Sequence, residues 1–282
     1  MISLFPTQVE TLRQLKDAGT QLGAEIALIG ASAMRMWLDA RWFTTDDIDV
    51  AVAIELGQLR ELETTLTKKS WEKIHADGQR WKSSNNTIVD IVPAGERLRS
   101  REHTTDGRGA MLMDLTGFEH VFKDAVVVDV AEDLSVKVIP LTVLMLLKIV
   151  AYLENPYRRA KDGRHIAILL DSYASRDRRF SDEVVKAGIS FAQAGAFLLG
   201  FDLRALCDER EAAALRNFIR MSQENGASDL VLEHRIDVED QEDDDDDSDD
   251  EEDDRKKRNE RVLKHLQAFS KVFEIGGTTD AS

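Results

Sequence analysis

Cysteine is almost absent from this sequence: Cys207 is the single cysteine among 282 residues. A lone cysteine excludes a disulfide within the chain and fits a reducing compartment such as the cytosol. Cys207 stands in the segment FDLRALCDER, whose apolar spacing is typical of one face of a helix. We therefore expect a buried thiol at this position and not a nucleophile.

The sequence also has no long apolar run. The longest stretch, residues 138–150, is interrupted by Pro140, Thr142 and Lys148 and is too short to span a bilayer. The N-terminal residues MISLFPTQVE have neither a basic region nor a sustained apolar core, so they do not look like a signal peptide. These features predict a soluble, cytoplasmic protein with no membrane partner.

Basic residues are missing from one segment, and this accounts for most of the net charge of −16. Residues 237–254 hold 15 of the 53 acidic residues and no Lys or Arg. Taking these 15 from 53 leaves 38 acidic residues against 37 Lys and Arg, so the rest of the chain is nearly neutral. Because so charged a segment repels itself, we expect disorder over 237–254, followed by a short helix up to residue 273. Such a tail either aids solubility, or it mimics a nucleic acid or masks a basic surface.

The most informative stretch that is present runs from Ala24 to Val52. An apolar run, Ile26–Ile29, suits a buried strand, and the small residues Gly30, Ala31 and Ser32 predict a turn into a short helix. Asp47 and Asp49 follow on an alternating strand.

Asp47 and Asp49 should project from the same face of that strand, because side chains repeat every second residue. Two neighbouring carboxylates repel each other unless a cation lies between them, and oxygen ligands suit Mg²⁺ or Mn²⁺. A turn at Gly30 lets the backbone approach a ligand, and Ser32 is placed as the N-cap of the helix, whose first amides favour phosphate. A phosphate cradle beside a divalent cation predicts phosphoryl or nucleotidyl transfer.

The stretch resembles the nucleotidyltransferase superfamily, whose fold is shared with DNA polymerase β. That family has a strand, a glycine turn, a helix and an Asp-hydrophobic-Asp strand, which Gly30, Ser32, Asp47 and Asp49 match. The closest resemblance is to abortive-infection nucleotidyltransferase toxins of the AbiEii type.

The toxin pattern is roughly Gly-Gly-x-Ala followed by Arg-x-Ser/Thr-x-Asp-h-Asp. Its residues are matched by Gly30, Ala33, Thr45, Asp47 and Asp49. The chain departs from it at Ala31, which replaces the second glycine, and at Phe43, which stands where the pattern has arginine; Arg41 lies two residues earlier.

A third carboxylate, Asp90, lies within the apolar strand pattern TIVDIV at 87–92. An acidic residue among apolar ones is costly to bury without a partner, and a metal site would supply one. The resemblance implies that Asp90 is the third catalytic carboxylate, acting as a metal ligand or as the base for the attacking hydroxyl.

Further nucleotide-binding residues are implied by the helical half of the chain. Lys148 lies in LLKIVAY and matches the family lysine that contacts the nucleotide phosphates, while Lys161 and Asp162 match a Lys-Asp pair. His165 replaces the final aspartate of that pattern, and we interpret it as a packing residue.

These patterns predict an α+β fold: a small mixed sheet with flanking helices, then a helical half. We expect a nucleotidyltransferase core over 1–139, a helical domain over 140–236 and the acidic tail over 237–282. Short strands are predicted over 118–122, 125–130 and 135–138, and helices over 182–199 and 202–223.

The predicted function is Mg²⁺-dependent transfer of a nucleotide from an NTP to an RNA, tRNA included, or to a protein hydroxyl. The resemblance implies a toxin of a toxin–antitoxin or phage-defence system with a cognate antitoxin as partner. The alternative is a catalytically weak or inactive module that keeps the fold for interaction, such as an antitoxin.

Overall fold

The structure is a computed structural model that describes residues 4–38, 47–75, 79–100, 104–105, 111–224, 230 and 248–275. Over these residues the chain is an α+β protein with a mixed sheet and flanking helices, which confirms the predicted fold class. It divides into two compact units, Met1–Leu144 and Met145–Ser282. The predicted boundary between residues 139 and 140 lies close to this division.

The first unit contains both helices and strands. Its helices are α1 (Pro6–Gln21), α2 (Gly30–Trp37), α3 (Leu56–Lys68), α4 (Glu96–Arg99) and α5 (Phe118–Lys123). Its strands are β1 (Ile26–Leu28), β2 (Ile48–Val52), β3 (Glu72–Lys73), β4 (Arg80–Lys82), β5 (Ile88–Pro93), β6 (Thr104–Thr105), β7 (Met111–Met113), β8 (Val126–Ala131) and β9 (Leu134–Val138).

Seven of these strands form one mixed sheet in the order β3-β4-β5-β2-β1-β9-β8. Strand β2 lies near the centre, parallel to β5 and antiparallel to β1. Its residues Ile48, Val50, Ala51 and Val52 are fully buried, whereas Asp49 is only partly so. The apolar alternation of this strand therefore turns the carboxylate away from the core and towards one accessible face of the sheet.

Helix α5 corrects one prediction. The sequence predicts a strand over 118–122, but these residues form a helix that begins after Gly117, whose φ is +85°. Phe118 and Val121 are both buried and are spaced three apart, which places them on one helix face. A short apolar run cannot be assigned to strand or helix by periodicity alone, and here the left-handed glycine marks the start of the helix.

The second unit is helical. Helix α6 (Leu141–Glu154) spans the division between the units, and α7 (Ala160–Ser172), α8 (Asp182–Lys186), α9 (Ala194–Leu206), α10 (Glu209–Glu224) and α11 (Ser248–Ile275) follow. One helix was expected over 182–199, but α8 ends at Lys186 and Gly188 follows with a φ of +64°. Cys207 is buried at the end of α9, and burial raises the pKa of its thiol to about 12, so the predicted inert thiol is confirmed.

Helix α11 corrects the prediction of disorder for residues 248–254 of the acidic segment, while residues 237–247 lie outside the described residues. The helix begins at Ser248, inside the range expected to be disordered, and continues for 28 residues. Leu266, Phe269 and Phe273 are buried, and they recur at helical spacing along one face. The helix packs closely on α9, since a Cβ added at Gly200 would lie 2.6 Å from the carbonyl oxygen of Phe269. The helix predicted up to residue 273 is therefore present, although longer than expected, and its buried apolar side chains stabilise the second unit.

No helix within the described ranges combines the length and the apolar composition that crossing a membrane requires.

Candidate active site

Three charged residues form a row across neighbouring strands of the sheet. Arg80 on β4 pairs with Asp90 on β5 in antiparallel register, and Asp90 pairs with Asp49 on β2 in parallel register. Residues paired in this way project from the same face of a sheet. The structure thus brings together Asp49 and Asp90, which stand 41 positions apart in the sequence numbering, and adds a cation to them.

Asp47 joins the row from the residue just before β2. Its Oδ2 accepts a hydrogen bond from the Arg80 Nη2 at 2.5 Å. The same guanidinium donates from Nε and Nη2 to the two carboxylate oxygens of Asp90, both at 3.0 Å. Arg80 therefore bridges two of the three carboxylates that the sequence singled out.

Asp49 is held by the start of helix α2. The Ala31 backbone N–H donates to its Oδ2 at 3.1 Å. Gly30 has a φ of +59°, and a Cβ at this position would lie only 2.6 Å from the Asp49 carboxyl carbon. Only glycine allows the carboxylate to lie so close to the helix start. The sequence predicts that the turn at Gly30 lets the backbone approach a ligand, and in the structure the Asp49 side chain lies against Gly30.

Ser32 has a role other than the predicted N-cap. The residue before the helix is Ile29, and Ser32 lies within the first turn, 1% exposed. Its hydroxyl donates to the Asp47 carbonyl oxygen at 3.0 Å and accepts from the Asp49 backbone N–H at 3.3 Å. Ser32 therefore ties α2 to the backbone that carries both aspartates.

The electrostatics of the row favour a cation. The pKa of Arg80 is raised above its usual value, chiefly by the hydrogen bond to Asp90; burial opposes this, and the charges of Asp90, Asp47 and Asp49 each add a smaller increase. All three carboxylates thus act on one guanidinium. The side chains remain accessible, with 44% of Arg80, 38% of Asp47 and 31% of Asp90 exposed.

The ligand atoms that Asp47, Asp49 and Asp90 can offer are all carboxylate oxygens, which suit a hard divalent cation. In the described residues, however, no group of three or more His, Cys, Asp or Glu side chains is arranged to hold an ion. The guanidinium of Arg80 lies between Asp47 and Asp90 instead. Arg41, Phe43 and Thr45, which were compared with the toxin pattern, lie outside the described residues.

The remaining predicted nucleotide-binding residues belong to the second unit. The Lys148 Nζ donates to the Asp162 Oδ1 at 2.5 Å, and Arg159 Nη1 lies 3.7 Å from the other oxygen. Only 15% of the Lys148 side chain and 7% of the Asp162 side chain are exposed. Lys161 is exposed beside them.

His165 is buried near this pair, as the packing interpretation predicts, with 6% of the residue exposed. Burial first, and then the charges of Lys148, Arg164 and Lys161, lower the pKa of its imidazole to about 3. A neutral histidine is therefore built into the second unit at physiological pH.

Arg80 is the functional residue that sequence reasoning missed. The turn signal Asp77-Gly78 predicts that residues 79–82 form the second strand of a hairpin. Strand β4 does pair with β3, while the turn itself lies outside the described residues. Trp81 is buried and Arg80 is not, so the alternation placed Arg80 on the accessible face. Nothing in the sequence indicates that β4 pairs with β5 on its other side, and this pairing is what brings Arg80 next to Asp90.

Comparisons with known proteins add little to this geometry. No protein-family model matches the chain, and no curated protein matches it either. Among solved structures, the antibiotic-resistance factor ANT(2″)-Ia is similar at 13% identity and a TM-score of 0.34, over 54% of this chain and 76% of that one. An antigenic nucleotidyltransferase-like protein from Paracoccidioides brasiliensis is similar at 15% identity and a TM-score of 0.38, over 64% of this chain and 83% of that one.

Proposed function

We propose that this chain is a metal-dependent nucleotidyltransferase that moves a nucleotide from an NTP to an RNA or protein acceptor. The observation that carries the proposal is the register of β2 and β5, which sets Asp49 beside Asp90, with Asp47 joined to Asp90 through Arg80. Two strands and an adjoining bend bring three carboxylates together next to a glycine turn. This arrangement favours a functional site over a chance cluster of surface charges. The resemblance of Gly30, Asp47 and Asp49 to the superfamily pattern supports the same conclusion.

Each carboxylate has a position that fits a separate task. Asp49, fixed by the Ala31 amide, and Asp47, one residue before the strand, would hold Mg²⁺ or Mn²⁺. When bound, such an ion neutralises charge that develops on the phosphoryl oxygens during in-line displacement. Asp90 would complete the set of ligands or accept the proton of the attacking hydroxyl.

Several residues act by positioning. Gly30 permits the close approach of Asp49 to helix α2, and Ser32 joins that helix to the backbone of Asp47 and Asp49. These contacts limit the motion of the two carboxylates before any ligand arrives, and such preorganisation lowers the cost of reaching a productive geometry.

An alternative follows from Arg80 itself. In a non-catalytic interaction module, such as an antitoxin, the guanidinium would replace the divalent cation permanently and the row would be a structural ion-pair network. The two hydrogen bonds from Arg80 to Asp90 favour this second candidate. The two functions differ in one measurable property, the binding of a divalent cation at Asp49.

The test is transfer of label from each α-³²P-labelled NTP to total RNA or to lysate protein, with Mg²⁺ or with EDTA. We expect a labelled RNA or protein that depends on Mg²⁺ and is lost in Asp49→Asn. The matched control is Asp129→Asn, because Asp129 lies on strand β8, at the far edge of the same sheet. Equal labelling by Asp49→Asn and the unmodified chain would contradict the proposal.

We propose further that the chain acts as a toxin. Its test is growth of a host that expresses the chain from an inducible promoter, beside the Asp49→Asn variant. Growth arrest that requires Asp49, and relief by a co-expressed neighbouring gene product, would support a toxin with a cognate antitoxin. Normal growth together with efficient labelling would assign the enzyme a different role.

A further inference from the structure

We propose that Arg80 is a built-in counter-ion of the active site, which a divalent cation must displace from Asp47 and Asp90 before the carboxylates can bind it. Arg80 is therefore a positioning residue that sets the metal requirement of the enzyme. This inference rests on the proposed function, because it assumes that the carboxylate row binds a metal.

The geometry supports competition between Arg80 and a metal for the same oxygens. The guanidinium uses three hydrogen bonds, one to Asp47 Oδ2 and one to each carboxylate oxygen of Asp90. Those three oxygens belong to two of the three carboxylates that the metal would need. A guanidinium and a divalent cation cannot both lie among them.

Arg80 is also held in place by the sheet. It is paired with Asp90 in the register of β4 and β5, and the next residue, Trp81, is 3% exposed. A buried neighbour on an antiparallel strand fixes the side from which Arg80 projects. The fold therefore positions the Arg80 guanidinium beside the carboxylates.

The ion pairs are weak enough to be exchanged. The Arg80 side chain is 44% exposed and Asp47 is 38% exposed, so water competes for both groups. Ion pairs at such exposure contribute little to stability. A divalent cation carries twice the charge of Arg80, and three carboxylates favour it more strongly.

The predicted role explains two features together. Asp47, Asp49 and Asp90 carry charge on one face of the sheet, and without a cation they would repel each other. Arg80 relieves that repulsion, and its pairing accounts for the lack of a formed three-carboxylate cluster among the residues that the structure describes.

The experiment compares Mn²⁺ binding to the full chain and to Arg80→Met by isothermal titration calorimetry. Because the acidic segment 237–254 also attracts cations, the triple variant Asp47→Asn, Asp49→Asn, Asp90→Asn gives the background that is subtracted. Arg13→Met is the matched control, since Arg13 pairs with Glu10 and Asp133 elsewhere in the same unit and is 34% exposed.

We expect Arg80→Met to bind Mn²⁺ about tenfold more tightly or better, as removal of a neighbouring positive charge implies. Arg80→Lys should fall between the two, because lysine keeps the charge without the planar fork. A second readout is the melting temperature: Mn²⁺ should raise it more in Arg80→Met than in the unmodified chain, because tighter binding to the folded state stabilises it more. Arg13→Met should respond to Mn²⁺ as the unmodified chain does.

The outcomes separate this inference from the proposed function. Equal or weaker Mn²⁺ binding by Arg80→Met, with clear binding by the unmodified chain, would overturn the role of Arg80 and leave the nucleotidyltransferase proposal standing. Absence of carboxylate-dependent Mn²⁺ binding in both chains would overturn both.

Discussion

Asp49 and Asp90 stand beside each other on the parallel strands β2 and β5, in register and on one face of the sheet. Asp49 also lies against the start of helix α2, where its Oδ2 accepts a hydrogen bond from the Ala31 amide. The pair is thus anchored on two sides, by strand register and by a helix terminus. Such anchoring is what a site with a defined geometry needs.

Substitution of Asp49 by asparagine should abolish transfer with little loss of stability. Asparagine keeps an oxygen for the Ala31 amide but removes the negative charge that a divalent cation requires. We expect activity to fall by at least about 100-fold, in keeping with a loss of several kcal/mol of transition-state stabilisation. Asp47→Ala and Asp49→Ala should behave alike, and melting temperatures within a few degrees of the unmodified chain will show that the fold is intact.

Gly30→Ala should destabilise the first unit by about 1–3 kcal/mol, because the backbone is left-handed there and the new Cβ would meet the Asp49 carboxylate. Gly23→Ala is a matched control, since its φ is +64° but nothing lies within 4 Å of the added Cβ. The difference between the two variants in the free energy of unfolding, measured by urea denaturation, gives the cost of the clash with Asp49. An equal effect at both positions would show that backbone strain alone is responsible.

Lys148→Met should destabilise the second unit, because it leaves the buried Asp162 carboxylate without its main cation. Removal of one partner of a buried pair costs about 3 kcal/mol. Lys161→Met, on the exposed neighbour of Asp162, serves as the control and should change stability little. If the double variant Lys148→Met, Asp162→Leu is no more stable than Lys148→Met, the unpaired carboxylate is not the cause.

Calorimetry with an NTP tests the nucleotide-binding role that the sequence assigns to Lys148. A charge-assisted contact to phosphate predicts a loss of about 1.5–3 kcal/mol in binding free energy for the methionine variant. Unchanged affinity would limit Lys148 to the ion pair with Asp162.

Helix α11 should be required for the stability of the second unit. Phe269 is fully buried against α9, so Phe269→Ala should lower the free energy of unfolding by about 3–5 kcal/mol. The exposed Gln267 on the same helix provides Gln267→Ala as a control. Deletion of 248–282 should lower the melting temperature strongly, whereas an unchanged melting temperature would mean that α9 does not need this helix.

Acid should destabilise the second unit through His165. The folded-state pKa is lowered to about 3, so the unfolded chain binds a proton below pH 6.5 while the folded chain does not. Stability from this group is therefore present above the unfolded value and is lost as pH falls, by about 2 kcal/mol at pH 5. His165→Gln should reduce the change in urea midpoint between pH 7 and pH 5, and His75→Gln, at an exposed position, should not.

Local patterns determined most of the first unit. Amphipathic spacing alone predicts helices over 6–21 and 56–68, and the structure has both with these bounds, because helix signals act within a few positions. Strands β2 and β5 were found in the same way, from apolar runs interrupted by one acidic residue. Strand periodicity also predicts that Asp47 and Asp49 project together, but the structure has Asp47 in the bend just before β2.

Tertiary structure decided the contacts between distant segments. The sequence could name Asp49 and Asp90 but not their register, since register depends on how two strands of the sheet align. It could not identify Arg80 as their cation, because a strand pattern does not say which neighbour it will pair with. For the same reason the sequence predicted a helix up to residue 273 but not its packing: burial of Phe269 depends on the surface of α9, which no local pattern of the tail contains.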